Sequence, residues 1–579
     1  MRAQAHKSEE NTRLRFLCLF FLALALWVLG RLFVLQVIEH DYYALFASNN
    51  HEIYRQLQPE RGKIFFTDSR TGEEYPAAVN RPFYLVYAVP TEIPATEAPA
   101  IAAGLAVDLG WSDPNKIPEL QAKLLKAGDP YEVVDKKIPE ATVDKIKAAQ
   151  RPGIYFAPSQ FRFYPEQRLG SGVLGFTTLS DQSELEGQYG IEGYFDKQLA
   201  GKGGFLWAER GARGSWITLG KRDLTPAENG ADVVLTIDRT LEQKTCERLQ
   251  QGLLEYGAKS AALVLMNPAT GAILAMCSLP DFDPNNYSQA SDLSAYNNTS
   301  IFTPYEPGSI FKPITMAAAL DLGQLAPETT FTDPCERKIS GHTIHNALNK
   351  CYGLTTMTNV LVNSINTGMV WVEEKIGTER FRQYVEKFGF GKKVGITLNT
   401  ETAGDISSLS QKPAIYAANG SFGQGLTVTP LQMAMAYGAI ANEGVMMKPY
   451  IVKETRQYNG AREVTKPGPV DSVISPRTAK LLTGMLTAVV SRGESYRQAR
   501  LSDYYIAGKT GTAQIPGRGG YSEDTNHTFA GFAPATDPAF VLIVKFERPD
   551  RRWAESTAAP VFRDIMKFAL EYYGIPKER

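Results

Sequence analysis

A serine hydroxyl is a poor nucleophile until a base at fixed geometry takes its proton. Ser309 is the only serine of the 579-residue sequence with a lysine three residues later, in Ser309-Ile310-Phe311-Lys312. Pro307-Gly308 ends an irregular stretch and Ile314 to Leu322 continues with helical character, so Ser309 is expected at or near a helix N-terminus. Positions i and i+3 share a helix face, which brings the Lys312 amine within reach of the Ser309 oxygen. Helix-terminal N–H groups favour negative charge developing beside it. Lysine acts as a base only when neutral, so its ordinary pKa of about 10.4 must fall, through burial or a neighbouring positive charge. Alone, such a pair is more often a helix start with a solvated lysine.

Lys509-Thr510-Gly511-Thr512 supplies a second cation. The run Tyr504 to Ala507 leads into it as a strand, and Gly511 leaves room for a ligand backbone at the strand edge. Ser364-Ile365-Asn366, after a helical segment from Thr356 to Val362, is the third element. A hydroxyl and an amide together can relay a proton and hold a peptide carbonyl. Singly, these are ordinary strand ends and loops. Their order along one chain, S-x-x-K then S-x-N then K-T-G, resembles that of penicillin-recognising serine enzymes, which implies serine acyl transfer.

Three distant stretches need a scaffold to meet. After the turn-like break Pro226-Ala227-Glu228-Asn229-Gly230 the pattern becomes a regular α/β alternation. Asp232 to Ile237 reads as a strand and Leu241 to Tyr256 as a helix. Ala261 to Met266 and Ala272 to Ser278 read as a hairpin, and Thr528 to Ala533 with Phe540 to Phe546 as another. Both ends of the region thus supply antiparallel strands to one sheet, on which the amphipathic helix Pro560 to Tyr573, stopped by Gly574, would pack. Upstream, from Asn50 to about Thr225, the chain is β-rich and irregular, interrupted by a charged helical insert over Pro118 to Gln150.

Lys+Arg of 61 against Asp+Glu of 62 leaves a net charge of -1, so no global basic field exists to gather nucleic acid. Cys18, Cys246, Cys277, Cys335 and Cys351 form no C-x-x-C pair, so metal chemistry is not expected. Phe16 to Gly30 is uninterrupted apolar sequence, extended past Arg31 by Leu32 to Leu35. A helix continued to Val37 has the length to cross a hydrocarbon core of roughly 30 Å. A cleaved signal peptide fits less well, because Ala23-Leu24-Ala25 is followed by Leu26 and Trp27 rather than by polar residues. Arg2, Lys7, Arg13 and Arg15 before the run, against Glu39 and Asp41 after it, put the N-terminus in the cytoplasm and everything beyond Val37 outside. There Cys335 and Cys351 either close a hairpin over Glu336 to Lys350 or stay as two free thiols.

The three motifs in this order resemble those of class B, monofunctional penicillin-binding proteins, the division type somewhat more than the elongation type. Gly420-Ser421-Phe422-Gly423-Gln424-Gly425 with Thr429-Pro430-Leu431-Gln432, Arg61-Gly62-Lys63-Ile64 and Tyr189-Gly190-Ile191-Glu192 resemble further signatures of that class. Phe65 to Arg70 departs from its usual D-R-x-G continuation. The resemblance implies a cytoplasmic tail (1–15), a single transmembrane anchor (16–37), a β-rich elongated pedestal or dimerisation domain (38–228) and an α/β (α+β) transpeptidase domain (229–579) with an antiparallel sheet and helices. It implies a peptidoglycan D,D-transpeptidase at the cytoplasmic membrane, its catalytic domain extracytoplasmic, in which Ser309 attacks D-Ala-D-Ala and Lys312 takes its proton. Ser364 and Asn366 would shuttle protons and position substrate. Lys509, with the Thr510 and Thr512 hydroxyls, would hold the terminal carboxylate, and Gly511 would belong to the same substrate edge. The N–H groups of Ser309 and Thr512 would form the oxyanion hole, and no metal or organic cofactor would be needed. Implied partners are stem peptides, β-lactams, the membrane, a membrane-embedded glycan polymerase and division or elongation proteins. A non-catalytic scaffold and a bifunctional wall synthase are the alternatives, disfavoured by the intact motifs and by the pedestal-like upstream region.

Overall fold

The computed structural model describes residues 2–34, 52–126, 128–180, 185–209, 222–290, 292–517 and 520–579. Contacts divide the chain into two units, Met1–Pro59 with Gly201–Asn229 and Glu60–Ala200 with Gly230–Arg579. The first holds one continuous helix, α1 (Arg2–Phe33), and an antiparallel sheet of Glu52–Leu57, Gly204–Glu209 and Arg222–Thr225. Large apolar side chains of α1 from Leu17 onward are exposed, Trp27 to 70%. Among the described residues no helix is long and apolar enough to cross a membrane. The anchor expected at 16–37 lies partly outside them.

Elements of the second unit, in chain order, are β1 (Ile64–Thr67), β2 (Glu74–Ala88), β3 (Ile154–Phe163), β4 (Asp232–Asp238), α2 (Arg239–Glu255), β5 (Ser260–Met266), β6 (Ile273–Leu279), α3 (Lys312–Asp321), α4 (Met357–Val362), α5 (Asn366–Ile376), α6 (Pro430–Ala441), β7 (Val452–Arg456), α7 (Pro476–Arg492), β8 (Ala507–Gly517), β9 (Gly520–Ala533), β10 (Phe540–Glu547) and α8 (Ala558–Tyr572). One sheet draws on both sides of the sequence break. In it β4 runs parallel to β1, Val233 opposite Ile64, and antiparallel to β7, Val233 opposite Thr455. The expected helical insert is two helices, Lys116–Leu124 and Glu140–Ala148, separated by a strand, Glu132–Ile138, that pairs with β2. Val133 and Val134 supply its β-branched character. Leu120, Leu124, Val143 and Ile146 form their own small core there with Val86.

The Arg61 and Glu192 signatures meet in a buried ion cluster. Arg61 donates to Glu192 at 2.9 Å and Arg162 at 2.6 Å, with Glu192 wholly buried. Burial pushes the Glu192 carboxyl up, but the Arg162 and Arg61 charges outweigh it and hold it below the usual carboxylate range.

The two hairpins join one five-stranded antiparallel sheet, in the order β6-β5-β10-β9-β8. Every residue of β6 is buried, as is all of β5 but Ser260. Continuous apolar runs of this kind mark strands covered on both faces. α2 and α8, packed on each other, and α6 supply the cover. All twelve residues of α6 are buried, as expected of a helix apolar all round. Its start is the Thr429–Gln432 capping box with Pro430 in the first turn, so the T-P-L-Q signature is a helix-initiation device. β8, which carries Lys509 to Thr512, is an edge strand. It begins only at Ala507: Tyr504 is instead buried, its hydroxyl donating to the Ile575 carbonyl.

Candidate active site

Ser309 sits in a tight turn, Gly308–Phe311, that runs directly into α3. Gly308 has φ +58° and its N–H donates to the Gly423 carbonyl at 3.0 Å. A Cβ on Gly423 would lie 2.2 Å from the Gly308 oxygen, so the turn and the Gly420–Gly425 loop touch backbone to backbone. A Cβ on Gly511 would lie 2.8 Å from the Pro307 oxygen and 3.3 Å from the Ile310 nitrogen. The space expected there for a ligand is therefore taken by the Ser309 turn itself. The Tyr437 hydroxyl of α6 donates to the Ile310 carbonyl at 2.9 Å, and Thr315 to the Ser421 carbonyl at 2.8 Å. Two apolar helices, one glycine-rich loop and the Gly511 position of β8 thus clamp one serine.

Lys312 is completely buried. Its Nζ lies 2.6 Å from the Ser364 carbonyl, 3.0 Å from Ser364 Oγ and 2.7 Å from Asn366 Oδ1. Ser364 Oγ in turn lies 3.0 Å from Ser309 Oγ. The amine thus reaches Ser309 Oγ through Ser364 rather than along the helix face alone. Ser364 has φ +55°, a left-handed conformation that turns its carbonyl and hydroxyl together onto Lys312. Burial, and then the Lys509 charge, hold the lysine well below its ordinary value. A neutral amine has two N–H groups and one lone pair. As an ammonium, Lys312 donates to the Ser364 carbonyl, the Ser364 hydroxyl and Asn366; in the neutral form it would keep the first and last and accept from the Ser364 hydroxyl. Ser309, Ser364 and Lys312 thus lie on one continuous hydrogen-bonded chain.

Lys509 is also fully buried; it donates to the Tyr496 hydroxyl and to the Thr510 carbonyl. Its ammonium lies 5.2 Å from the centre of the Tyr496 ring. Thr510 Oγ1 is 3.1 Å from the Tyr496 hydroxyl and 3.3 Å from a Glu555 carboxylate oxygen, while Thr512 Oγ1 accepts the Ala554 N–H at 3.1 Å. Tyr496 and Glu555 were not legible as site residues, because each reaches the strand from a separate loop with no motif around it. The same holds for Asp333, which accepts from Asn346, Thr367 and the Tyr352 N–H. That hub holds the segment whose His345 carbonyl accepts Asn366 Nδ2 at 2.9 Å. The segment is a hairpin closed by a Cys335–Cys351 disulfide; Cys246 and Cys277 form a second one, joining α2 to β6.

Ser309, Ser364 and Lys312 therefore share one hydrogen-bonded chain, and Lys509 acts on it through its charge at Lys312. Residues 261–567 match the model of the penicillin-binding protein transpeptidase domain, and residues 56–235 that of the penicillin-binding protein dimerisation domain. This chain belongs to the penicillin-binding proteins. Stage V sporulation protein D of Bacillus subtilis is 33% identical to it over 571 residues, covering 97% of this chain and 86% of that protein. A probable peptidoglycan D,D-transpeptidase PbpC of Pseudomonas aeruginosa is 30% identical over 577 residues, covering 98% and 97%. Among solved structures, penicillin-binding protein 3 of Mycobacterium tuberculosis, complexed with aztreonam, superposes with a TM-score of 0.68 at 25% identity, covering 91% of this chain and 98% of that one.

Proposed function

We propose that this penicillin-binding protein is a serine-type peptidoglycan D,D-transpeptidase whose acyl-enzyme forms on Ser309. The observation that carries the residue assignment is the unbroken path from Ser309 Oγ through Ser364 Oγ to a buried Lys312 amine. Ser309 Oγ attacks the carbonyl carbon of the penultimate D-Ala; its proton passes to Ser364, whose own proton moves to Lys312. Collapse of the tetrahedral intermediate breaks the C–N bond, and the leaving D-Ala nitrogen takes the proton back along the same path. An acceptor amine of a neighbouring stem peptide then attacks the ester and yields its proton to Lys312. Ser309 regains a proton as the cross-link is released.

Backbone N–H groups of Ser309 and Thr512 serve as the oxyanion hole, where one donor is typically worth roughly 2.7 to 4 kcal/mol of barrier. An extended donor peptide adds to the edge of β8, where Lys509 supplies a fixed positive charge for its terminal carboxylate. Thr510 and Thr512 take part by exchanging their present partners for that carboxylate. A β-lactam acylates the same serine.

The apolar, exposed face of α1 supports a single membrane anchor at 16–37, with the tail 1–15 in the cytoplasm and the catalytic region outside. Residues 38–228 are read as the pedestal, which meets a membrane-embedded glycan polymerase and division or elongation proteins, and 229–579 as the transpeptidase region. Labelling with a fluorescent penicillin tests the core of this reading. Wild-type protein labels; Ser309→Ala, folded by its melting curve, stays dark. Equal labelling of the two removes Ser309 from the mechanism.

A further inference from the structure

Glu306 precedes the nucleophile by three residues, is only 6% exposed, and is used by no step described above. Its carboxylate accepts the Gly425 N–H at 3.1 Å. It also accepts the Tyr521 O–H, 3.0 Å from Oε2 and 3.3 Å from Oε1. Next to it, Tyr305 and Val428 exchange both backbone hydrogen bonds, at 2.9 Å each. With the Gly308–Gly423 bond, residues 305–308 and 423–428 form a short ladder that Glu306 extends sideways. Tyr521 lies near the start of β9, directly opposite Pro516 of β8. It thus belongs to the hairpin end of the strand whose other half carries Lys509 to Thr512.

We propose that Glu306 is a positioning residue for acylation. Its carboxylate ties the Ser309 turn to the Gly423–Val428 loop and, through Tyr521, to the hairpin of β8, fixing the separation between the nucleophile and the substrate edge. The proposal rests on Ser309 being the nucleophile. Removing the carboxylate leaves the Gly425 N–H and the Tyr521 phenol without this acceptor and frees the turn to shift against β8. A misplacement of about 1 Å is enough to cost on the order of 10²-fold in rate. A glutamine keeps Oε1, which is within reach of both donors, so geometry and charge can be separated.

The test uses the full chain and a fluorescent penicillin at varied concentration, so that pre-covalent affinity and the acylation rate constant are read separately. Glu306→Ala is expected to lower the rate constant by about tenfold or more with affinity unchanged. Glu306→Gln restores most of the rate, and Tyr521→Phe lowers it by about two- to fivefold. Wild-type protein that fails to label sinks the transpeptidase reading and, with it, this proposal. With labelling wild type in hand, a Glu306→Ala rate within twofold of it, or a Glu306→Gln variant as slow as the alanine, overturns the proposal. Where Glu306→Ala does not fold, an unchanged rate in Tyr521→Phe does so.

Discussion

Ser364→Ala isolates the central link of the relay. The substitution removes one atom, the Oγ that lies 3.0 Å from both Ser309 Oγ and Lys312 Nζ, and leaves the Ser364 carbonyl at 2.6 Å from the lysine. Lys312 keeps its contacts to that carbonyl and to Asn366, so its position is held while the proton path is cut. General acid–base catalysis contributes about 10²- to 10⁴-fold, so acylation is expected to slow by that factor, about 2.7 to 5.4 kcal/mol of barrier at 1.36 kcal/mol per decade. Ser364→Gly removes the same oxygen but also relieves the left-handed backbone, φ +55°, which costs a non-glycine residue about 1 kcal/mol. The glycine variant is thus expected to be about 1 kcal/mol more stable than the alanine variant and equally slow. Stopped-flow acylation by a fluorescent penicillin, with denaturant unfolding of both variants, measures the two quantities independently. An alanine variant within about tenfold of wild type means that Lys312 takes the proton directly, and the relay argument fails. A glycine variant far faster than the alanine one means that the backbone set the rate.

Lys312→Met should remove a pH dependence of stability. Burial and the Lys509 charge depress the folded-state value, so between it and the ordinary value of about 10.4 the unfolded chain binds the extra proton. Stability therefore rises with pH across that window, by up to about 1.4 kcal/mol per unit; an identical slope in the methionine variant contradicts the assignment. Glu192→Gln leaves the buried Arg162 charge without its carboxylate and Arg61 with Asp196 alone, and is expected to cost about 3 to 5 kcal/mol, read as a lowered denaturation midpoint. In the wild type the ordinary carboxylate range lies above the depressed Glu192 value, so this stabilisation fades as pH falls through that value. Gly511→Ala drives a methyl group to within 2.8 Å of the Pro307 oxygen and should slow acylation about tenfold or more by displacing the nucleophile turn. Unaltered acylation kinetics would show that the turn has slack.

Much of the framework is local and was readable in the chain. Apolar runs of strand length at 261–266, 272–278, 528–533 and 540–546 have few alternatives to pairing in a buried sheet, and they do pair there. The i, i+3 spacing of Ser309 and Lys312 and the capping residues of α6 are equally properties of neighbouring residues. The Val133-Val134 strand was hidden inside a charged stretch, since two β-branched residues barely alter a helical pattern, and only pairing with β2 decides it.

What tertiary structure alone decided is which groups from far along the chain share a hydrogen bond. Ser364 reaches Ser309 across 55 residues, Tyr496 and Glu555 reach β8 from opposite sequence directions, and Asp333 holds the segment that anchors Asn366. Gly511 was legible as a place without a side chain, but what fills that place is the Pro307–Ile310 backbone. The physical reason is range: covalent neighbours set dihedral preference and periodicity, whereas a side-chain contact depends on where sheet order and loop closure leave two remote atoms.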